Sequence, residues 1–191
     1  MLTRSTRSLL DLPTRQKTIP VIENRVQFAL ALTASDLTAI LLRHCNLFDL
    51  RTLLENAHER ELAVYVNVDH IDGITPDTAG LRYLATQLHI KGIASSNGKT
   101  LALAKSFDLE TIQRIFAVDS TGLEAALESV DYQHVDLLAI SPALVIPYAV
   151  AQMPLRLPYI GYGFASTPRQ VQTVLRAGAI GVTVSRSELW L

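Results

Sequence analysis

Residues 63–96 read AVYVNVDHIDGITPDTAGLRYLATQLHIKGIASS, and this stretch holds one strand–helix–strand unit. Residues 63–69 are rich in valine, which is typical of a buried strand. Thr75 suits the N-cap and Pro76 the first position of a helix that runs to about residue 89. Residues 91–96 are again strand-like. Because a helix between two strands favours parallel pairing, the stretch predicts a βαβ unit.

The same alternation runs along the whole chain. Strands are predicted at residues 19–22, 38–42, 63–69, 91–96, 111–118, 135–140, 158–161 and 181–185. Helices are predicted at residues 23–32, 48–61, 75–89, 100–106, 120–130, 143–152 and 167–177, with a last turn at 187–191. Ser120 and Thr167 are the expected N-caps, and Gly178 is the expected C-cap. Eight such units predict an α/β fold, a compact (β/α)₈ TIM-type barrel with parallel strands and short loops. The alternative is an open sheet of flavodoxin type, although no glycine-rich turn follows the first strand to form a dinucleotide site.

The composition indicates one compact domain preceded by a short arm. The 191 residues are 49% hydrophobic and 18% charged, as expected when helices cover both faces of a sheet. Residues 19–191 are predicted to form a single barrel domain, and residues 1–18 a mobile basic arm. The formal net charge of −1 gives no overall attraction for nucleic acid. Any RNA contact therefore needs a local patch, for which the arm offers Arg4, Arg7, Arg15 and Lys17; the alternative is a solvated terminus.

The lone cysteine and the hydropathy pattern indicate the cellular context. Cys45 has no partner within the chain, so no internal disulfide can form, which favours a reducing cytoplasm. No apolar run reaches the roughly 18–20 residues that span a bilayer, and the first residues do not look like a signal peptide. Neither a metal site nor a cofactor motif is found. The high apolar fraction is consistent with a homodimer.

Polar residues at the predicted carboxyl ends of the strands are the candidates for ligand binding, because barrels of this type bind ligands there. The candidates are Asp69, Ser95, Arg114, Asp119, Ser141, Gly161, Gly163, Ser185 and Arg186. The last two loops suggest a phosphate cradle, in which backbone amides of Gly161–Tyr162–Gly163 and of the turn after residue 185 meet Arg186. Arg114 lies inside a buried strand, so it should face the lumen towards an acid such as Asp69, or towards the ligand. The alternatives are ordinary tight turns for the glycines and a capping role for Asp69. No catalytic residue is assigned.

Several ordered motifs resemble those of the glycerol-3-phosphate-responsive antiterminator family, the glycerol uptake operon antiterminators. They extend from about residue 19 to residue 190. The motifs are IPVIEN at 19–24, VNVDHIDGI at 66–74, KGIASS at 91–96, QRIFAVDS at 113–120, AGA at 177–179, TVS at 183–185 and ELW at 188–190. The resemblance implies a cytosolic barrel that binds glycerol 3-phosphate and acts on leader mRNA to prevent premature termination of glycerol-use genes. It also implies that Asp69 and Arg114 lie near the ligand and that Gly161, Gly163, Ser185 and Arg186 surround the phosphate.

Four departures from the family pattern fall at strand ends. Asn67 stands where the family usually has histidine, and Asn97 where it usually has lysine or arginine. Ala139 replaces an acid, and the ring of Tyr162 stands in a glycine-rich turn where it would narrow the pocket. These changes leave open whether the ligand is still glycerol 3-phosphate. Alternative functions are a small barrel enzyme acting on a phosphorylated three-carbon or sugar substrate, and a divergent phosphate-ligand binding protein.

Overall fold

Eight parallel strands close into a barrel with helices between them, which confirms the predicted (β/α)₈ fold. The computed structural model describes residues 5, 7–12, 17–152 and 154–190. The barrel strands are β1 (Thr18–Ile22), β2 (Ala39–Leu42), β4 (Ala63–Asn67), β6 (Gly92–Ser95), β7 (Glu110–Phe116), β8 (Leu137–Ser141), β9 (Tyr159–Gly161) and β10 (Gly181–Val184). Their order around the barrel is β1-β10-β9-β8-β7-β6-β4-β2, and β1 pairs with β2 to close it.

In the described part of the chain, seven α-helices pack around this barrel. They are α1 (Arg25–Thr33), α2 (Leu47–Glu59), α3 (Thr78–Thr86), α4 (Gly98–Lys105), α5 (Ser120–Glu128), α6 (Ile146–Gln152) and α7 (Pro168–Arg176). Two short strands that the sequence did not predict, β3 (Cys45–Asn46) and β5 (Ile71–Asp72), pair with each other outside the barrel. Among the helices of the described ranges, none combines the length and hydropathy needed to cross a bilayer.

Alternate strand residues face two separate apolar layers. Val64 and Val66 of β4 pack outward with the helices, whereas Ala63 and Tyr65 of the same strand point into the lumen. This period of two follows from the alternating side-chain directions of a strand. Both faces of each strand are therefore buried, which explains the high hydrophobic fraction of the chain.

The amino-terminal ends of the strands, which we call the floor, are closed by a segment that was predicted to be mobile. Residues Leu9–Asp11 form a 3₁₀ turn capped by Ser8, and Leu9 is fully buried against the lumen residues. The Leu9 amide donates to the Tyr65 hydroxyl at 2.9 Å. Residues 7–12 therefore form part of the floor, a contact that the sequence does not show, and the mobility of the arm stays a prediction. Arg4 and Arg15 lie outside the described residues.

Helix starts are partly as predicted. Thr167 caps α7 in a full capping box with Gln170, and Gly178 follows that helix with a φ of +94°. Two other caps were assigned wrongly: Asp77 rather than Thr75 caps α3, and Asp119 rather than Ser120 caps α5. In both cases the carboxylate accepts from the backbone amide three residues on, and several residues able to cap lie close together in the sequence.

Candidate ligand site at the mouth of the barrel

Asp69 lies at the carboxyl ends of the strands, which we call the mouth, in a 3₁₀ turn that follows β4. Its Oδ1 accepts from the Ser95 hydroxyl at 2.6 Å, and its Oδ2 accepts from the Ser96 amide at 2.9 Å. The fully buried Ser95 also accepts from the Asn97 amide at 3.0 Å. Ser95 thus holds the carboxylate of Asp69 in place and ties the β4 and β6 loops together.

Arg114 of β7 is 93% buried and faces the lumen, as its position in an apolar strand predicts. Its Nη1 lies 3.3 Å from Asn67 Oδ1 and 3.7 Å from Asp69 Oδ2. The guanidinium carbon is 4.8 Å from the centre of the Phe116 ring and 5.1 Å from the centre of the Tyr162 ring. Its Nε is buried and has no hydrogen-bond partner within the described residues. The pairing of Arg114 with an acid is therefore loose, and part of the guanidinium is left for another acceptor.

Two further residues complete the mouth. Tyr162 directly follows β9 and is 5% exposed, with its side chain packed among the lumen residues. Arg43 directly follows β2; its Nη1 lies 3.0 Å from Glu23 Oε1, and its guanidinium carbon lies 6.0 Å from the Tyr162 ring centre. The sequence predicted that Tyr162 would narrow the pocket, but it gave no role to Arg43. The signal that could have found Arg43 is its place as the first polar residue after a predicted strand.

The turn after β9, which belongs to the predicted phosphate cradle, lies next to β10. Gly163 has a φ of +70°, and its amide donates to the Thr183 hydroxyl at 3.3 Å. Ser141 also lies close to Gly163. Ser185 and Arg186 are exposed after β10, and Arg186 precedes a 3₁₀ turn of three residues, which is too short to supply a substantial dipole.

Two predicted ligand residues have structural roles here. Gly161 lies within β9, where a Cβ atom would come within 2.8 Å of Val174 and 2.9 Å of Ala143, so its α-carbon faces the helices rather than the mouth. The glycine is needed for close packing, and its part in the phosphate cradle stays a prediction. Asp119 is exposed, and its Oδ1 accepts from the Gly122 amide at 2.7 Å as the cap of α5.

His70 and Cys45, which lie near the mouth, are in surroundings that favour their uncharged forms. His70 stacks on His44 with ring centres 5.1 Å apart. Burial lowers the pKa of His70, and the nearby Arg114 lowers it further. Burial raises the pKa of the Cys45 thiol to about 11, with Asp72 and Asp49 adding to the effect, so the thiol stays protonated at neutral pH. Among the described side chains, no three histidine, cysteine or acidic groups converge as a metal site would require.

The described basic residues of the arm lie at the floor, away from the mouth. The Arg7 side chain pairs with Glu61 at 3.3 Å, just before β4 begins. The Lys17 carbonyl accepts from the Val182 amide at 2.9 Å, next to the start of β1. A ligand at the mouth and an RNA at these residues would therefore occupy opposite ends of the barrel.

The family model for the glycerol-3-phosphate responsive antiterminator matches residues 18–190. The chain belongs to this family. Among solved structures, the glycerol uptake operon antiterminator regulatory protein from Listeria monocytogenes is 26% identical, with a TM-score of 0.83 over 93% of this chain and 96% of that one. The resemblance to the antiterminator family that the sequence motifs indicate is thus confirmed.

More distant structures share the fold alone. A glycerol uptake operon antiterminator-related protein from Thermotoga maritima is 19% identical, with a TM-score of 0.80 over 92% of this chain and 98% of that one. The N-acetylmannosamine-6-phosphate 2-epimerase from Clostridium perfringens is 14% identical, with a TM-score of 0.67 over 94% of this chain and 90% of that one. No curated protein sequence matches this antiterminator-family chain.

Proposed function

We propose that this protein is a ligand-responsive antitermination regulator whose barrel mouth binds a small phosphate ester such as glycerol 3-phosphate. The liganded protein would then act on the leader mRNA of glycerol-use genes in the cytoplasm. Membership of the antiterminator family supports the regulatory role. The observation that carries the ligand proposal is Arg114, a buried guanidinium at the mouth whose Nε has no acceptor within the described part of the chain. A buried cation in this state is best satisfied by an anion that enters from outside.

The phosphate would lie over the adjacent turns that follow β9 and β10. Gly163 brings the backbone close, Ser141 and Ser185 offer hydroxyl groups, and the exposed Arg186 adds a cation. The carboxylate of Asp69, which Ser95 and Ser96 hold in place, is available to accept from a ligand hydroxyl. This arrangement binds and orients a polar phosphate ester.

A thermal unfolding experiment with glycerol 3-phosphate tests the ligand. At 100 times its dissociation constant, a ligand stabilises the folded state by about 2.7 kcal/mol, so the midpoint should rise by several degrees. Glycerol alone should have no effect at the same concentration. The Arg114→Met variant should lose the response, whereas Arg51→Met, an exposed arginine on α2, should keep it. A midpoint that does not move with any small phosphate ester would overturn the ligand proposal, and catalytic consumption of the ester would favour an enzyme instead.

The RNA partner is tested by binding to a leader transcript at several salt concentrations. Deleting residues 1–17 would also remove Leu9 and open the floor, so charge substitutions are the better test. Replacing Arg4, Arg7, Arg15 and Lys17 by glutamine should flatten the dependence of affinity on salt, by roughly 0.7–0.9 in log–log slope for each lost phosphate contact. An unchanged slope would show that the arm does not bind RNA. Whether the regulator acts as a homodimer is tested by sedimentation with and without ligand.

A further inference from the structure

Four buried hydrogen-bond donors around the mouth lack a partner among the residues the structure describes. They are Arg43 Nε, Asn67 Nδ2, Arg114 Nε and the Tyr162 hydroxyl. Native proteins satisfy most of their buried polar groups, so an unpaired cluster needs an explanation. Three of the four atoms carry only hydrogens to donate, and the tyrosine hydroxyl can also donate. A group that satisfies all four atoms therefore offers several acceptors, as a carboxylate or a phosphate does.

The two arginines come from different parts of the barrel and approach the same ring. Arg43 follows β2, and Arg114 lies on β7, yet both guanidinium carbons lie within 6.0 Å of the Tyr162 ring centre. Each arginine uses Nη1 towards its protein partner, Glu23 for Arg43 and Asn67 for Arg114. In each case the buried Nε is left over. The two neighbouring carboxylates, Glu23 and Asp69, therefore leave part of each guanidinium unsatisfied.

Arg43 is set apart from the predicted phosphate position. Gly163, which approaches the phosphate, is joined to the backbone of Tyr162, whereas the side chain of Tyr162 extends into the lumen. Arg43 reaches this ring from β2, which is separated from β9 by β1 and β10 in the barrel order. A second acidic group on a ligand whose phosphate lies at Gly163 would supply acceptors for Arg43 Nε and for the Tyr162 hydroxyl, which Glu23 does not satisfy.

We propose that the ligand of this protein is a phosphorylated three-carbon acid, whose carboxylate is bound by Arg43 and Tyr162 while its phosphate occupies the turns after β9 and β10. The planar carboxylate suits a guanidinium, which presents its donors in one plane. Glycerol 3-phosphate has a hydroxymethyl group in place of this carboxylate and offers neither Arg43 Nε nor the Tyr162 hydroxyl a charged acceptor. This inference rests on the proposed function, since it assumes that a phosphate ester binds at the mouth.

The test compares 3-phosphoglycerate with glycerol 3-phosphate by isothermal titration calorimetry on the full chain. The wild-type protein should bind 3-phosphoglycerate at least about 10-fold more tightly, because charge-assisted hydrogen bonds are roughly twice as strong as neutral ones. Arg43→Gln should weaken 3-phosphoglycerate roughly 10- to 100-fold and leave glycerol 3-phosphate nearly unchanged. Arg51→Gln, which removes an exposed arginine of α2, should change neither affinity. Tyr162→Phe, which removes only the hydroxyl group, should lower the preference for 3-phosphoglycerate in the same direction and serves as the test if Arg43→Gln does not fold.

The outcomes separate this inference from the proposed function. Equal wild-type affinities, a preference for glycerol 3-phosphate, or equal losses for both ligands in Arg43→Gln would overturn the carboxylate site and leave the phosphate-ester proposal standing. Failure of both ligands to bind the folded wild-type protein would overturn both. A preference for 3-phosphoglycerate that Arg43→Gln abolishes would support both.

Discussion

At the floor of the barrel the Tyr65 hydroxyl is fully partnered, whereas at the mouth the Tyr162 hydroxyl has no partner among the described residues. Tyr65 accepts from the Leu9 amide and donates to Glu110, which in turn accepts from Ser8 and pairs with Lys91 at 3.0 Å. Burial, together with Glu110, raises the pKa of Tyr65, so its hydroxyl keeps the proton that it donates. Polar groups at the floor are thus used for stability, and those at the mouth are left for a ligand. This division between the two ends is typical of the barrel architecture.

The largest effect is expected when the floor is opened. Leu9→Ala removes a fully buried side chain from the lumen cluster and should lower the free energy of unfolding by about 3 kcal/mol. Leu10→Ala is the matched control, because Leu10 is 39% exposed and should cost well under half as much. Urea unfolding monitored by circular dichroism measures both. Equal losses for the two variants would show that residues 7–12 do not close the barrel in solution.

The same substitution at the two tyrosines should have opposite effects. Tyr65→Phe leaves the Leu9 amide without a partner and removes one hydrogen bond to Glu110, and it should lower the free energy of unfolding by about 2 kcal/mol. Tyr162→Phe removes a buried hydroxyl that has no partner in the described structure, and it should leave stability unchanged or raise it by up to about 1 kcal/mol. Urea unfolding without ligand gives both values. A clear loss of stability for Tyr162→Phe would contradict the division between floor and mouth.

Substitutions of Asp119 test whether every polar residue at the mouth takes part in ligand binding. Because its carboxylate caps α5, Asp119→Ala should lower the free energy of unfolding by about 1 kcal/mol. Asp119→Asn, which keeps a capping oxygen, should cost less. Titration of both variants with glycerol 3-phosphate should give the wild-type affinity. A specific loss of affinity in Asp119→Asn would return this residue to the ligand site that the sequence predicted.

The smallest effect is expected from pH. Burial lowers the pKa of His58 on α2, and His89 lowers it further, so the folded protein favours the neutral imidazole. The stability that His58 contributes is therefore present above its unfolded pKa of about 6.5 and is lost as the pH falls through the lower folded value. The unfolding midpoint should decrease from about pH 7 to pH 5, and His58→Gln should decrease less. If His58→Gln shows the wild-type pH profile, the protonation of His58 is not the cause of the lower stability at pH 5.

The sequence predicts the barrel well because the evidence for it is local and repeated. Short apolar strand runs and the helices between them are visible in short windows, as in residues 63–96. Arg114 could be assigned to the lumen because a charged residue within an apolar strand has few other places to go. The packing of Gly161 against Val174 and Ala143 could not be predicted, because those contacts join residues that are distant in the chain.

The candidate site was predicted less completely for the same reason. Arg43 reaches Tyr162 because closure of the barrel leaves only β1 and β10 between β2 and β9, and no short sequence window contains both residues. The position of Leu9 in the floor likewise depends on a hydrogen bond to Tyr65, which is 56 residues away in the sequence. The family motifs indicated which loops form the mouth. The mouth residues that distinguish this chain from its family are the ones that depart from those motifs.

The seal formed by Leu9 determines from which side small molecules enter. Because Leu9 packs into the lumen at the floor, a molecule reaches the candidate ligand site from the end where Arg43, Arg114 and Tyr162 lie. The hydroxyl of Ser5 donates to the Glu61 carbonyl on the blocked side. Attachment of the protein to a surface through residue 5 would thus leave its entrance facing the solution, which suits a biosensor or a screening resin.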